Sequence, residues 1–436
     1  MLTSRPRPLL VPFLAGPVAL TALASAGVAP ALPALSGSLG LGTGGTSGVM
    51  IAYALGFAIG TASFGHLADV VGPALVLRIG LPLLAAGAVL AAASPSLPPL
   101  LAGRVVEGIG AGAVPVFSLV ALASIADQGR RRREIGAFTA VLTATSAAVL
   151  LAGGALADLL GWRTLLAVPA AALLFLPGLR HVAGAAAAPA QRLDLGGIVL
   201  LAGLSGGLLL GLQVSSRHAV VREVGAVGLG CAAAAGFGLA RRGAGAGGVL
   251  PRSLVGSPRF VGRAVVGAVL FAGYFGLLVA APLLLGAPRH WSPVHLGLVM
   301  LPAGCAGALA SRLAGRAGAG GARTSLLCVV TVAGLAVAAT WPSSPVPLVT
   351  GLALASAALG WGHVVLVDGL ADELSSAQRG IAMGLFNLAV FFGGGVGATV
   401  VGVGFERTTA TSTLAVLACV PALGWLGVRA RRALPA

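Results

Sequence analysis

The sequence contains no lysine, and only 9% of its 436 residues are charged. A soluble protein of this length needs a larger charged surface, so the composition excludes a soluble globular protein. Without lysine there is also no glycine-rich phosphate loop ending in that residue, and ATP-driven transport has no support. A hydrophobic share of 57% and a mean hydropathy of +1.01 instead predict an integral membrane protein.

Cysteine and histidine are scarce as well, with four and six residues. The cysteines lie within apolar stretches and lack metal-ligand spacing, so we expect neither a disulfide framework nor a metal site. No histidines spaced four residues apart share a carboxylate partner, and no serine, histidine and aspartate set lies within the apolar runs. We therefore expect a protein that is not an enzyme and that has no cofactor.

Basic residues exceed acidic ones, and the formal net charge is +16. The densest run, Arg130 to Arg133, lies beside Asp127 and Glu134 and has no interleaved aromatic residues. We interpret it as a topological anchor at the membrane surface, and we do not expect nucleic acid as a partner.

Apolar runs broken by charge, proline or glycine predict fourteen membrane helices, at 9–35, 46–66, 74–94, 97–126, 135–157, 162–179, 194–213, 220–240, 260–286, 293–312, 323–341, 345–368, 379–404 and 411–428. If the N-terminus is cytoplasmic, the segments between these runs that face outward contain few arginines, namely Arg163, Arg217, Arg222, Arg289 and Arg407. This asymmetry predicts an even helix count with both termini cytoplasmic.

An internal repeat supports this count. The octet 65–72, GHLADVVG, follows the second run, and a near copy at 154–161, GALADLLG, follows the fifth. Three helices separate the copies, so they lie on opposite membrane faces, which is typical of an inverted three-plus-three repeat. We expect a six-helix half over 1–180, a loop with an inserted helix pair over 181–258, and a second six-helix half over 259–436.

The run 97–126 carries two charged residues, Arg104 and Glu107, inside its apolar sequence. An ionised group there costs about 3 kcal/mol even on lenient insertion scales. The spacing of three residues places both side chains on one helical face, where they can pair or face one cavity. We expect a role in transport; the alternative is a buried pair that only fixes helix register.

Together these patterns resemble the major facilitator superfamily, and within it the fourteen-helix drug:proton antiporter branch. The family's loop between helices 2 and 3 is matched by Gly65, Leu67, Ala68, Asp69 and Gly72. Its helix-4 pattern is matched by Arg104, Gly108 and Gly110, with Glu107 where the family has Gln. Its exit from helix 5 is matched by Gly153, Gly154, Leu156, Ala157, Asp158, Gly161, Trp162, Arg163 and Pro169. The resemblance implies an all-α major facilitator fold with two six-helix halves and an inserted helix pair.

Departures from this branch bear on proton antiport. Val149 and Leu150 stand where the antiporter motif has Gly-Pro, and Ala24 stands where many members have an acidic residue. In the first loop the family's basic residues are replaced, and Arg78 is the nearest cation. Two alternatives therefore stay open beside an antiporter: a facilitator or uptake carrier without proton antiport, and a transport-inactive membrane sensor or scaffold.

The resemblance also implies roles for individual residues. Asp69, with Gly65, Gly72 and Arg78, would form a loop that gates the inner side; the alternative is simple loop capping. Further candidates for lining a cavity or for coupling are Tyr53, His363, Asp368 and Asn387. For His363 and Asp368 the alternatives are packing and a polar cluster at a helix end.

We expect a secondary transporter that exports a small lipophilic drug or secondary metabolite by alternating access, with the proton gradient as its energy source. The few charges in the apolar runs favour an uncharged or weakly cationic substrate over sugars or phosphates. The expected setting is the lipid bilayer of a bacterial inner (plasma) membrane, with the protein as a multi-pass monomer.

Overall fold

The computed structural model describes residues 10–123, 128–179, 195–211, 219–242, 252–317, 324–373 and 379–433. Within these ranges the chain is helical and contains no strand. The expected boundary at 180/181 and the loop that follows it lie outside them.

The helices up to residue 179 are α1 (Leu10–Ser25), α2 (Leu32–Leu39), α3 (Thr43–Val71), α4 (Pro73–Ala93), α5 (Leu97–Ala111), α6 (Ala113–Ala123), α7 (Gln128–Leu160) and α8 (Trp162–Ala167). The later helices are α9 (Leu195–Gly211), α10 (Ala219–Arg242), α11 (Arg252–Val255), α12 (Pro258–Arg289), α13 (Pro293–Ala317), α14 (Thr324–Thr340), α15 (Pro345–Glu373), α16 (Arg379–Arg407) and α17 (Ala410–Ala433).

Eight helical segments in the described ranges are long and apolar enough to cross a bilayer, and six further apolar helices have 10–17 residues. Each of them overlaps one of the apolar runs found in the sequence. The prediction of an all-helical membrane protein is therefore confirmed.

Prolines interrupt three of the apolar runs, each of which the sequence predicts as one continuous helix. The first run changes to a 3-10 helix over Ala26–Ala31, which contains Pro30. The fourth run breaks at Gly112, three residues before Pro115, and the sixth becomes a 3-10 helix from Val168, just before Pro169. A proline ring removes one backbone donor and collides with the carbonyl four residues earlier, which explains all three interruptions.

The expected loop at 65–72 is wrong in its extent, because α3 remains helical through Val71 and only Gly72 separates it from α4. The residues from His66 to Val71 include no glycine or proline, so the helix continues to Gly72, where the chain turns. Gly72 makes that turn at φ +86°, ψ 155°. Gly161, at the end of the second copy of the octet, has φ +84°, ψ 156°, so the two copies end in the same conformation.

The helices pack into a bundle in which segments far apart in sequence meet. The most extensive contacts between the part before residue 180 and the part after 252 join α3 to α16 and α7 to α13. The pair α9 and α10 pack mainly on each other and touch α3 and α16 only slightly.

Helix α5 lies between α3 and α4 and approaches both closely. A β-carbon at Gly108 would collide with the Tyr53 carbonyl oxygen in α3, and one at Gly110 would collide with the Leu84 backbone nitrogen in α4. Small residues at such positions let membrane helices approach closely, and here they set the position of the charges that α5 carries.

This packing predicts that Gly108→Ala destabilises the protein by about 1–3 kcal/mol, because the added methyl group meets backbone atoms that cannot rotate away. Gly230→Ala is the matched control, since nothing lies within 4 Å of its β-carbon position. Thermal unfolding of the detergent-solubilised variants measures the difference, and equal melting temperatures for the two would contradict the packing of α5.

Candidate functional site

The two intramembrane charges of α5 form a salt bridge. Arg104 Nη1 lies 2.7 Å from Glu107 Oε2, and both side chains are 0% exposed. They are three residues apart on one face of the helix, as their spacing in the sequence predicts.

The Arg104 guanidinium is also bound by two backbone carbonyls from other helices. Nη2 donates to Ala24 O at 2.6 Å, and Nε donates to Val49 O at 3.3 Å. Ala24 lies in the last turn of α1, where backbone carbonyls lose their intrahelical donors. The interruption of the first run near Pro30 thus leaves an acceptor where the buried cation needs one.

Tyr53 on α3 closes the site from another side. The Arg104 guanidinium lies over its ring, 4.5 Å from the ring centroid, and the Tyr53 hydroxyl donates to Thr21 O at 3.1 Å. The ring face adds a cation–π contact to a guanidinium that is fully buried. Arg104 therefore contacts the first run, α3 and Glu107 together.

Glu107 is less completely satisfied than its partner. Oε2 accepts from Arg104, but Oε1 is buried and has no hydrogen-bond partner among the described residues. A proton can therefore bind at Oε1 without breaking the bond between Oε2 and Arg104. This free oxygen distinguishes the pair from a fully satisfied structural ion pair.

A row of aromatic rings extends from this site across the contact between α3 and α16. Ring centroids are 6.0 Å apart for Tyr53 and Phe57, 4.1 Å for Phe57 and Phe391, and 4.8 Å for Phe391 and Phe271. Phe271 also contacts Tyr274, so both tyrosines of the chain belong to this row. Rings from three helices and from both ends of the sequence meet here, next to the ion pair.

The residues predicted to gate the inner side lie at the junction of α3 and α4. Gly65 is buried in α3, Asp69 lies in the last turn of that helix, and Gly72 forms the turn. Arg78 is exposed on α4. These residues lie in other parts of the helices than the Arg104 site.

The helix-5 exit residues surround the junction of α7 and α8. A β-carbon at Gly154 would collide with the Pro293 carbonyl at the start of α13. Asp158 is exposed, and Arg163 lies over the Trp162 ring at 4.2 Å. This motif packs α7 against α13 rather than joining the buried ion pair.

The remaining candidates are dispersed. His363 is exposed on α15, with its ring 6.1 Å from that of Phe386, and Asp368 is exposed further along the same helix. Asn387 is half-buried on α16. Only Tyr53 among the four cavity and coupling candidates joins Arg104 and Glu107 in the described structure.

Sequence reasoning missed the carbonyls that bind Arg104 and the ring contact between Phe57 and Phe391. Both depend on tertiary packing and leave no local pattern. It also missed Glu406 at the end of α16, which accepts a hydrogen bond from the Gly44 backbone nitrogen. The scarcity of acidic residues, 11 in the whole chain, was a signal that pointed to it.

The buried pair predicts a non-additive effect on stability. Arg104→Met leaves Glu107 without its cation and should cost about 3–5 kcal/mol, whereas the double variant Arg104→Met/Glu107→Leu should recover most of that loss. Arg312→Met, at an exposed arginine on α13, is the control and should change stability by less than about 0.5 kcal/mol. A double variant no more stable than Arg104→Met, measured by thermal unfolding in detergent, would show that the charges are not coupled.

Residues 16–398 match the profile of the Major Facilitator Superfamily. Multidrug resistance protein Stp of Mycobacterium tuberculosis is 27% identical over 386 residues, which is 85% of this chain and 71% of that protein. Drug efflux pump JefA of the same organism is 27% identical over 385 residues, 85% of this chain and 75% of that protein.

The fold has solved counterparts. The xylose transporter XylE from E. coli superposes with a TM-score of 0.63 at 15% sequence identity, over 98% of this chain and 97% of that one. With the family match and the apolar helices, the conclusion is direct: the chain belongs to the Major Facilitator Superfamily and is a multi-pass inner-membrane transporter of small molecules, not an enzyme.

Proposed function

We propose that this protein exports a small lipophilic drug or secondary metabolite by alternating access, driven by exchange for protons. The observation that carries the proposal is the fully buried Arg104–Glu107 pair with one free carboxyl oxygen. Drug efflux among the relatives, at 27% identity, supports the substrate class and the direction of transport.

Proton exchange requires a group that binds a proton in one state and releases it in another. Burying a charged pair in an apolar bundle costs free energy, so the Arg104–Glu107 pair points to a functional role. The pair lies beside the contact between α3 and α16. In the proposed cycle, the proton binds at Glu107 Oε1 while Oε2 keeps its bond to Arg104. A movement of Arg104 relative to Ala24 O and Val49 O then changes the distance between its guanidinium and the Glu107 carboxylate. This distance sets how strongly the positive charge favours release of the proton.

We propose fourteen membrane helices with both termini cytoplasmic. The eight long apolar helices and the six shorter ones each overlap one of the fourteen apolar runs, and arginines concentrate in the segments assigned to the inside. The two six-helix halves would comprise 1–180 and 259–436, with the pair α9 and α10 inserted between them over 181–258. The few contacts of that pair with the rest of the bundle support its assignment as an insertion.

The aromatic row supports an apolar substrate. Phe57, Phe391 and Phe271 place ring faces at the contact between the proposed halves, where a lipophilic molecule can stack. The Arg104 guanidinium is already bound by Glu107 and by two backbone carbonyls, so it is not available to bind a phosphate. We propose a monomer that needs no cofactor beyond the proton gradient.

The other predicted residues are assigned to the conformational change. Asp69, with Gly65, Gly72 and Arg78, would close the inner side, and the positive φ of Gly72 fixes the angle between α3 and α4. The motif formed by Gly154, Asp158, Gly161, Trp162 and Arg163 would hold the junction of α7 and α8. His363, Asp368 and Asn387 would line the path in another state.

Efflux from intact cells tests the coupling. Cells that express the wild type should export lipophilic dyes and antibiotics, and collapse of the proton gradient should abolish this export. Glu107→Gln should remove gradient-dependent export, because the amide cannot take up the proton. Glu223→Gln, at an exposed carboxylate on α10, is the control and should export normally. Export that persists after collapse in the wild type would favour a facilitator over an antiporter.

The stacking surface gives a separate expectation. Phe391→Ala removes the ring between Phe57 and Phe271 and should reduce export of flat aromatic dyes several-fold, with smaller effects on aliphatic substrates. Phe237→Ala removes an exposed ring on α10 and serves as the control. Initial rates of dye efflux at equal expression measure the effect. Equal rates for both variants would show that the row is not part of the transport path.

A further inference from the structure

Glu406, near the C-terminal end of α16, binds the beginning of α3 across the molecule. Its Oε1 accepts a hydrogen bond of 3.0 Å from the backbone nitrogen of Gly44, a residue 362 positions away in sequence. Gly44 is the second residue of α3, where backbone donors have no partner within the helix. The carboxylate therefore meets both a free donor and the positive end of the helix dipole.

Two further contacts hold α3 and α16 together at this end. Thr43 Oγ1 donates to Gly402 O at 3.3 Å, one turn before Glu406. A β-carbon at Gly402 would collide with Ser47 Oγ, and Ser47 and Thr46 are 0% exposed. The contact between the two helices is therefore closed to solvent at Gly402 and Ser47, one turn further into the bundle than Glu406.

A cavity of about 500 Å³ lies at the same end of the bundle. Its wall includes Ser36 and Thr43 from one end of the sequence, and Leu283, Phe405 and Thr408 from the other. Thr43 and Phe405 immediately precede the two residues that form the hydrogen bond. In the topology proposed above, this is the outer end of the transporter.

We propose that Glu406 is a latch that keeps the outer end closed, and that its release from the α3 N-terminus opens the path from the aromatic row to the outer cavity. The bond joins a carboxylate on α16 to a backbone nitrogen on α3, so it breaks when the two helices separate at this end. The inference rests on the proposed topology for its orientation and on the proposed function for its role, and its test measures access independently of transport.

The test uses a full-length protein whose four cysteines are replaced by alanine. In this background, labelling of Ser47→Cys reports whether a reagent from outside reaches the contact between α3 and α16. Gly37→Cys is the reference for an accessible position, because nothing lies within 4 Å of its β-carbon position. A membrane-impermeant maleimide is added to intact cells, and the rate of labelling is measured for each reporter.

Two variants break the latch from opposite sides. Glu406→Ala removes the carboxylate, and Gly44→Ala places a methyl group where Glu406 Oε1 now lies. Each should increase labelling of Ser47→Cys about tenfold, since a hydrogen bond to a charged group holds the closed state. Glu406→Gln keeps an acceptor oxygen without the charge and should have a smaller effect. Glu223→Ala, on α10, is the matched loss of a carboxylate and should leave labelling unchanged.

The outcomes separate the latch from the transport function. Unchanged labelling of Ser47→Cys in both latch variants, with Gly37→Cys labelled at its normal rate, overturns the proposal. Failure of Gly37→Cys to label from outside in the parent protein overturns the orientation on which it rests. Gradient-dependent dye efflux in the same cells reports the export function separately, so its absence together with faster labelling would reject export and retain the latch.

Discussion

The structure depends on the burial of two opposite charges inside an apolar helix bundle. Arg104 and Glu107 are 0% exposed, and an unpaired charge at such a position would cost more than a single helix contact can offset. Close packing of α5 between α3 and α4 brings Tyr53 and Val49 to the guanidinium, and the end of α1 brings Ala24. Glycines on α5, a proline in the first run and an aromatic ring on α3 all serve this one site.

Two contacts between distant parts of the sequence join α3 and α16 at different points, and they differ in physical character. The aromatic row joins the helices near the ion pair, and the bond between Glu406 and Gly44 joins them at one end. The row is apolar and can exchange one stacked ring for another, whereas the bond is directional and either forms or breaks. In the proposed cycle the first contact accommodates the substrate and the second controls access to it.

Much of the fold could be predicted from the sequence, because hydropathy and helical spacing are local properties. The apolar runs overlap the apolar helices, and the spacing of Arg104 and Glu107 predicts that the two side chains share one helical face. The octet copies also end alike, at Gly72 and Gly161.

The errors and omissions have physical causes. The gating loop was expected from a family pattern, but the helical residues after Gly65 extend α3 to Val71. The carbonyl ligands of Arg104 belong to backbone that carries no sequence signature. Glu406 accepts a hydrogen bond from a glycine nitrogen, which side-chain patterns cannot identify.

The central claim is that Glu107 couples proton movement to export, and purified protein in liposomes tests it most directly. Accumulation of a lipophilic substrate driven by an imposed pH gradient is compared with exchange of labelled for unlabelled substrate without a gradient. The account predicts that Glu107→Gln loses gradient-driven accumulation and retains exchange, because the binding surface is intact and only the proton-binding group is gone. Accumulation by Glu107→Gln at the wild-type level would contradict it.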